Sequence, residues 1–207
     1  MGIVHKATLS PSKQEIVEGW LPSRDWARGR TIAGKVAEYR LDDPAGEVGV
    51  ETILWRLDDG SIVQTPLTYR AEPLAGADDH LITTTQHSVL GERWVYDGCG
   101  DPVWASTLAT AIATGGQQSQ MYFEQDGQRV EIPARMHVRG SGDDASGPAV
   151  TVIDSTTDDG PVTTVRAGDV VLALARVLGA PLGEGVRLVG ALADDPDDTT
   201  VLAVLRT

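Results

Sequence analysis

The sequence predicts an α+β protein in which a curved antiparallel sheet packs on helices. Three observations support this class. Two segments carry the apolar spacing of amphipathic helices, the runs around them alternate with a period of two, and turns rich in Asp and Gly separate neighbouring runs. The resulting order of helix, antiparallel strands, helix and hairpin is typical of an α+β domain.

The first predicted helix covers residues 11–20. Ser10 offers a capping hydroxyl, and the ring of Pro11 presets φ at the first helical position. Pro22 ends the helix, because proline removes a backbone donor. The apolar stripe of this helix consists of Ile16, Val17, Trp20 and Leu21.

Alternating residues then predict strands, first over about 36–41. In the next run, one face carries Ile53, Trp55 and Leu57, and the other carries Thr52, Leu54 and Arg56. Residues 58–61, Asp-Asp-Gly-Ser, predict a hairpin turn because glycine tolerates positive φ, so the chain returns as a strand over about 62–69. Residues 80–97 predict a further strand pair with its bend near Gly91.

The second predicted helix begins at Asp101-Pro102, which repeats the combination of a capping side chain and a proline. It stops at Gly115-Gly116. Its stripe consists of Val103, Trp104, Leu108, Ala111 and Ile112. Residues 119–139 predict a hairpin that turns about residues 125–128.

Residues 140–148 predict a linker, because the segment is small and polar and has nothing to bury. The expected organisation is therefore one domain over 1–139 and a smaller β-rich unit over 149–207. Strands are expected in that unit at about 149–153, 162–166, 169–178, 186–192 and 200–205. Residues 169–178 also suit a helix through their Leu-Ala-Leu-Ala centre, but the valine-rich start favours a strand.

Composition excludes several classes of partner. The 207 residues carry a formal net charge of −13, which opposes binding to nucleic acid and to anionic membrane surfaces. No window reaches the roughly 18 apolar residues of a membrane span, and the first six residues lack the pattern of a signal peptide. Cys99 is the single cysteine, which fits a reducing compartment. We therefore expect a cytoplasmic protein.

Several blocks of the sequence resemble the N-terminal cap region of actinobacterial maltokinases, kinases that phosphorylate maltose in the trehalose-to-glucan route. The blocks are Trp20-Leu21-Pro22-Ser23-Arg24-Asp25-Trp26 with Gly29-Arg30, then residues 65–70, 87–98 and 101–103, and together they span roughly 9–140. The resemblance implies a cystatin-like fold in which a sheet wraps a helix. It also implies a connection with maltose, trehalose and α-glucan metabolism.

The kinase chemistry that accompanies such a cap is not found in the sequence. The nearest match to a His-Gly-Asp catalytic loop is His137-Val138-Arg139-Gly140, where Arg139 stands in place of the catalytic carboxylate. The chain contains no asparagine to hold a second magnesium ion and no Gly-x-x-x-x-Gly-Lys phosphate loop. Residues 170–176 resemble the nucleotide-binding strand of a degenerate kinase small lobe, with alanine in place of its lysine, and residues 188–190 and 201–205 resemble the strands that follow it. The alternative is that these segments share only a composition that forms hairpins. We therefore expect no enzymatic activity, no catalytic residue and no cofactor.

Other chemistry is equally weakly supported by the sequence. The four histidines are scattered, Cys99 has no histidine beside it, and no HExxH or CxxC motif is present. The repeated Asp-Asp pairs lack the alternating ligands and terminal glutamate of a calcium loop. No metal site is therefore predicted, and the acidic pairs are interpreted as turns and solvated surface.

The aromatic residues offer the remaining candidates for binding, because exposed Trp and Tyr stack on sugar rings and neighbouring polar groups bind the hydroxyls. The candidate binding residues are Trp26, Tyr69, Arg70, Trp94, Tyr96 and Asp97. A structural role is the favoured interpretation of residues 93–97, with Trp94 largely buried and Asp97 hydrogen-bonded to backbone near the second helix.

Three functions remain open. The first is a non-catalytic interaction or regulatory module whose partner is a sugar kinase or an enzyme of trehalose or glucan metabolism. The alternative is a module that binds an oligosaccharide or another small molecule. The third is an accessory chain of a sugar kinase or a glucan-active enzyme.

Overall fold

The computed structural model describes residues 2–3, 7–125 and 128–207, and it is mainly antiparallel β with few helices. The predicted turn about residues 125–128 and the first six residues therefore lie partly outside the described residues. In the part of the chain that is described, no helix is long and apolar enough to cross a membrane.

The elements follow one another in this order. The N-terminal half contains β1 Gly2–Ile3, β2 Leu9–Ser10, α1 Lys13–Trp20, β3 Ile32–Leu41, β4 Gly49–Leu57, β5 Ile62–Arg70, β6 Leu81–His87, β7 Gly91–Asp97 and α2 Pro102–Ala113. The C-terminal half contains β8 Met121–Gln125, β9 Gln128–Glu131, β10 Met136–Gly140, β11 Ser155–Asp159, β12 Val162–Ala167, β13 Val170–Ala175, β14 Val186–Leu192 and β15 Asp195–Arg206.

Helix α1 begins two residues later than the sequence predicts. Its cap is Ser12, whose hydroxyl accepts from the Glu15 backbone N–H at 3.4 Å, while the Glu15 carboxylate accepts from the Ser12 N–H at 2.8 Å. This reciprocal capping box satisfies two donors at the start of the helix. Ser10, the predicted cap, instead belongs to β2 and pairs with Gln86 of β6.

The N-terminal sheet has the strand order β2-β6-β7-β5-β4-β3. The predicted hairpin at residues 58–61 is confirmed, since β4 and β5 pair antiparallel across it and Gly60 has φ of +84°. Strands β6 and β7 form the second predicted pair, and Gly91 at the start of β7 also has positive φ.

Both faces of β4 are largely buried, which the alternating pattern did not predict. Ile53, Trp55 and Leu57 pack against α1 in one hydrophobic cluster. Val50 and Leu54, on the opposite face, pack against α2 in another cluster. The sheet is thus a middle layer between two helices.

Helix α2 matches its prediction and is buried along almost its whole surface. Asp101 caps it by accepting from the Val103 N–H at 2.9 Å. The buried side chains of Trp104, Leu108 and Ile112 share one cluster with residues of both large sheets. A helix that is apolar over most of its surface needs cover on most sides.

The C-terminal sheet has the order β10-β14-β15-β13-β12-β11, and a third, small sheet has the order β1-β8-β9. The strand favoured over residues 169–178 is confirmed as β13. The strand expected at 149–153 is wrong, because pairing with β12 begins only where the Asp154 N–H reaches the Arg166 carbonyl at 2.8 Å. Val150 is buried beside α2, and its N–H lies 3.4 Å from the Ser106 hydroxyl. This segment therefore packs on the helix and does not pair in the sheet.

The hairpin predicted over residues 119–139 is shorter in the structure. Strands β8 and β9 pair within 121–131, whereas β10 pairs with β14 of the C-terminal sheet. The boundary between the two large sheets therefore falls before β10 and not in the predicted linker. That linker lies along α2: the Gly142 and Asp144 N–H groups bind the carbonyls of Ile112 and Ala113.

The two large sheets also contact each other directly through β5. The Gln64 side-chain amide donates to the carbonyls of Ala175 and Leu202, both at 2.7 Å. The Gln64 backbone N–H binds the Arg176 carbonyl at 2.9 Å. Because Gln64 is fully buried, these bonds are part of the interior.

Candidate ligand-binding cleft

A cleft of about 830 Å³ opens on the α1 face of the N-terminal sheet. Its origin is a mismatch of lengths. The eight residues of α1 span about 12 Å, whereas the nine residues of β4 span about 30 Å, so the helix leaves one end of the face uncovered. The volume lies in the range of small-molecule pockets.

Strand register places four polar side chains on this uncovered end. Arg40 of β3 pairs directly with Glu51 of β4. Tyr69 of β5 pairs with Gly49, two residues from Glu51, and with Val95 of β7, two residues from Arg93. Because alternate residues share a face, all four point to the α1 side.

Glu51 lies at the floor of the cleft and is 3% exposed. It accepts from Lys13 Nζ at 2.6 Å and from the Tyr69 hydroxyl at 3.2 Å. Burial alone would raise the pKa of Glu51, but the charges of Lys13 and Arg40 with these hydrogen bonds lower it below the usual value. Glu51 is therefore a carboxylate that is held in place.

The pKa of Tyr69 is shifted in the opposite direction from that of Glu51. Burial, followed by the negative charge of Glu51, raises the pKa of Tyr69 well above its usual value. The phenol therefore stays protonated and donates its hydrogen to the carboxylate. The floor of the cleft is a fixed arrangement of one cation, one anion and one neutral hydroxyl.

The guanidinium of Arg40 lies beside this arrangement. A methyl group placed on Gly49 would lie 3.5 Å from Arg40 Nη2 and 3.5 Å from Tyr69 Cβ, so the two side chains flank the bare glycine. Among the described residues, no carboxylate lies within ion-pair distance of Arg40 and no acceptor is hydrogen-bonded to its side chain.

The rim is formed by the loop between β3 and β4. The Asp43 carboxylate accepts from the backbone N–H groups of Ala45, Glu47 and Val48 at 2.9–3.0 Å, which shapes this loop. On its other side lies a smaller cleft of about 490 Å³, which shares residues 41–44 with the first. Its lining is rich in hydroxyls and amides, among them Ser106, Thr110, Thr114, Gln117 and Gln120.

The structure does not bring the six predicted binding residues together. Tyr69 lines the large cleft. Trp26 is 3% exposed and packs beneath α1, where the Arg176 guanidinium lies 5.1 Å from its ring centroid. Asp97 is buried and pairs with Arg176 at 2.5 Å, and it also accepts from the Cys99 N–H at 3.3 Å as predicted.

The other three candidates lie on the opposite face of the sheet. Arg70 makes a bidentate pair with Asp101, with both bonds at 2.7 Å. The Tyr96 hydroxyl accepts from the Leu74 N–H at 2.8 Å. Trp94 is mostly covered without being fully enclosed. As binding residues, these six remain predictions.

Two buried donors beneath α1 have no partner among the described residues. They are Trp26 Nε1 and Arg176 Nη1. The remaining donors of Arg176 bind Asp97 and the Thr163 hydroxyl, the latter at 2.7 Å. This cluster joins the two large sheets and lies away from the cleft.

Sequence reasoning missed Lys13, Arg40, Glu51 and Arg93 as residues of the cleft. One signal was present for Glu51. It shares the strand phase of Ile53 and Trp55, so a carboxylate stands in a stripe that is otherwise apolar. No local pattern distinguished Lys13 or Arg40 from ordinary surface cations.

Within the described residues, no group of three or more His, Cys, Asp or Glu side chains is placed to hold a metal ion. What the arrangement offers is hydrogen bonding. The Arg40 guanidinium supplies donors, Glu51 retains acceptor capacity, and Tyr69 adds a partly exposed ring.

Comparison with protein families gives one match. Residues 20–101 match the model of the maltokinase N-terminal cap domain. No curated protein matches the chain. The matched segment contains strands β3 to β7 and ends at Asp101, the cap of α2, so it includes Arg40, Glu51 and Tyr69. It leaves out Lys13 and the whole C-terminal sheet. The segment 20–101 is therefore a relative of the maltokinase N-terminal cap domain.

Proposed function

We propose that this protein is a non-catalytic, cap-like binding module that holds a small hydroxylated molecule of the saccharide class in the large cleft. The observation that carries the proposal is Glu51, a buried carboxylate fixed by Lys13 and Tyr69 at the floor of a concave surface. Fixed polar groups in a pocket confer orientation and specificity on a bound ligand.

Saccharides suit this chemistry because each hydroxyl both donates and accepts. A carboxylate has about four acceptor sites, and Lys13 and Tyr69 occupy two of them. The fork of Arg40 supplies donors to ring and hydroxyl oxygens. The smaller cleft beyond residues 41–44 adds neutral hydroxyls and amides, which gives a longer saccharide room to continue.

The family match supports a link to maltose, trehalose or α-glucan metabolism. We place no catalysis in the chain, since Arg139 stands where a kinase needs a carboxylate and no asparagine is present. Our proposal also includes a cystatin-like fold for the N-terminal sheet and a degenerate kinase small lobe for the C-terminal sheet. The second point rests on the resemblance of residues 170–176 to a nucleotide-binding strand, in which alanine stands in place of the lysine.

Calorimetry with maltose, trehalose and glucose tests the binding. We expect at least one of them to bind. Tyr69→Phe should weaken that binding by about five- to tenfold, because it removes the hydroxyl whose hydrogen bond holds Glu51 in place. Tyr39→Phe is the matched control, because Tyr39 lies in the same sheet on the opposite, buried face. Equal affinities for the two variants would contradict the proposal, and so would failure to bind any of these sugars or their acidic and phosphorylated derivatives.

Incubation with maltose and ATP–Mg²⁺ tests the absence of catalysis. We expect no phosphorylated maltose above the level of a blank without protein. Turnover that persists through purification would overturn the non-catalytic part of the proposal and leave the binding part to be judged by calorimetry.

A second candidate is docking to a protein partner, namely a sugar kinase or an enzyme of trehalose or glucan metabolism. Val89 and Leu90, at the turn between β6 and β7 beside the cleft, are 57% and 47% exposed. A copurification assay with a purified maltokinase tests this candidate. Loss of the complex in Val89→Asp/Leu90→Asp would support it, and a change in kinase rate on adding this chain would indicate an accessory subunit.

A further inference from the structure

We infer that the ligand of the large cleft carries an oxyanion, a carboxylate or a phosphate, and that Arg40 binds it. The inference rests on the proposed function and names the chemistry of its ligand. It starts from Arg40, a half-buried cation of the cleft that makes no ion pair among the described residues.

Three other cations that are withdrawn from solvent among the described residues have carboxylate partners, whereas Arg93, the other half-buried arginine of the cleft, binds the Glu92 carbonyl at 3.1 Å. Lys13 pairs with Glu51, Arg70 with Asp101 and Arg176 with Asp97, at 2.6, 2.7 and 2.5 Å. A guanidinium that loses part of its hydration without gaining an acceptor is costly. Arg40 therefore differs from these three in having its donors available to a ligand.

The carboxylates around Arg40 interact with its charge but are hydrogen-bonded to other groups. Glu51 stands opposite Arg40 in the strand register but is bound by Lys13 and Tyr69. The Asp43 carboxylate accepts from three backbone N–H groups of its own loop. Asp42 also has interactions of its own. A planar guanidinium is suited to the bidentate binding of a carboxylate or phosphate.

The cleft as a whole is not basic, because Asp42, Asp43, Glu47 and Glu51 line it together with the cations. A small free anion therefore gains little from the surrounding field. The oxyanion is expected to bind well only when it is attached to a hydroxylated body that also contacts Tyr69 and Glu51. This predicts that an anionic sugar binds more tightly than either inorganic phosphate or the neutral sugar.

Calorimetry on the full chain tests the inference with four probes: glucose, glucose 6-phosphate, glucuronate and inorganic phosphate. We expect one of the two anionic sugars to bind about tenfold or more tightly than glucose. The affinities of glucose 6-phosphate and glucuronate, compared with each other, show whether the site prefers a phosphate or a carboxylate. Arg40→Gln is expected to remove the preference for the anionic sugar, and Arg40→Lys to retain only part of it.

Arg56→Gln is the control, since Arg56 lies at the far end of β4 and is exposed, and the same charge is lost. It is expected to keep the preference, and the melting temperature of each variant shows that it is folded. Equal affinity of glucose and both anionic sugars would overturn the inference alone, provided that binding depends on Tyr69. Failure of all four probes would overturn the inference and the proposed function together.

Discussion

Single residues join distant parts of this chain through buried charges. Glu51, Asp97 and Asp101 are all buried, and each meets a cation from another element. Removing one partner of such a pair leaves a charge without hydration or counter-ion, which costs much more than losing an exposed pair. The buried pairs should therefore be sensitive positions for stability.

The pair between Asp97 and Arg176 gives the clearest test. Asp97→Asn leaves the Arg176 guanidinium, 1% exposed, without its counter-ion, so we expect a loss of about 3–5 kcal/mol in the free energy of unfolding. Urea denaturation measures this loss. Asp25→Asn is the control, because the Asp25–Arg28 pair is exposed and its removal should change little. Similar midpoints for both variants would show that the buried pair does not stabilise the fold.

Glu51 predicts how stability depends on pH. Its pKa is lowered in the folded protein, despite burial, by the charges of Lys13 and Arg40, so the unfolded chain binds its proton more readily. The contribution of Glu51 is complete above the unfolded pKa of about 4.3 and is lost as pH falls through the folded value.

We therefore expect urea midpoints to fall from pH 7 to pH 4 and below, and the fall to be smaller in Glu51→Gln. Glu131→Gln, a change at an exposed position of β9, serves as the control and should keep the wild-type pH dependence. An identical pH profile for Glu51→Gln and the wild type would rule out this contribution.

At the scale of elements, the two helices differ in what holds them. Helix α1 is defined by its capping box and one apolar stripe, and it covers only part of one sheet face. Helix α2 is capped by Asp101, which also binds Arg70 and the Thr68 hydroxyl of β5. Since α2 shares a cluster with both large sheets, its side chains should contribute more to stability.

Two tryptophans on neighbouring elements test this difference. Trp104 of α2 is 1% exposed, so Trp104→Ala is expected to cost about 3–5 kcal/mol. Trp94 of β7 is half-buried, so Trp94→Ala should cost distinctly less. Chemical denaturation of the two variants checks the order. An equal or larger loss for Trp94→Ala would contradict the packing described for α2.

At the scale of the whole molecule, α2 is the element that both sheets share. Cluster members such as Leu54 of the N-terminal sheet and Leu188 and Leu202 of the C-terminal sheet surround it. The segment 140–148 adds to this, because its backbone binds the last carbonyls of α2 and leaves no space for a side chain at Gly142. The two halves of the chain are thus packed as one body around this helix.

A fragment that ends at residue 139 tests this organisation. It would expose the side of α2 that β13, β14 and β15 cover, so we expect it to be insoluble or to lack a cooperative thermal transition. The full chain is the control. A soluble fragment with a sharp transition would show that the first 139 residues fold alone, as the sequence predicted.

The sequence alone was sufficient to predict those elements whose formation depends on interactions within one short segment. The Asp101-Pro102 start of α2, the hairpin at 58–61 and the strand over 169–178 depend on caps, prolines, glycine and the period of apolar residues, all within one segment. The resemblance in the blocks between Trp20 and Asp101 was likewise confirmed by the family match.

Only the tertiary structure decided which surfaces and charges meet. The second buried face of β4, the pairing of β10 with β14, and the cleft formed by Lys13, Arg40, Glu51 and Tyr69 all depend on segments distant in sequence. The physical reason is that the environment of a charge is set by strand register and by what covers each face, and neither is encoded in the neighbouring residues. Arg40 and Arg70 look alike in the sequence, yet Asp101 pairs with one and the cleft leaves the other open.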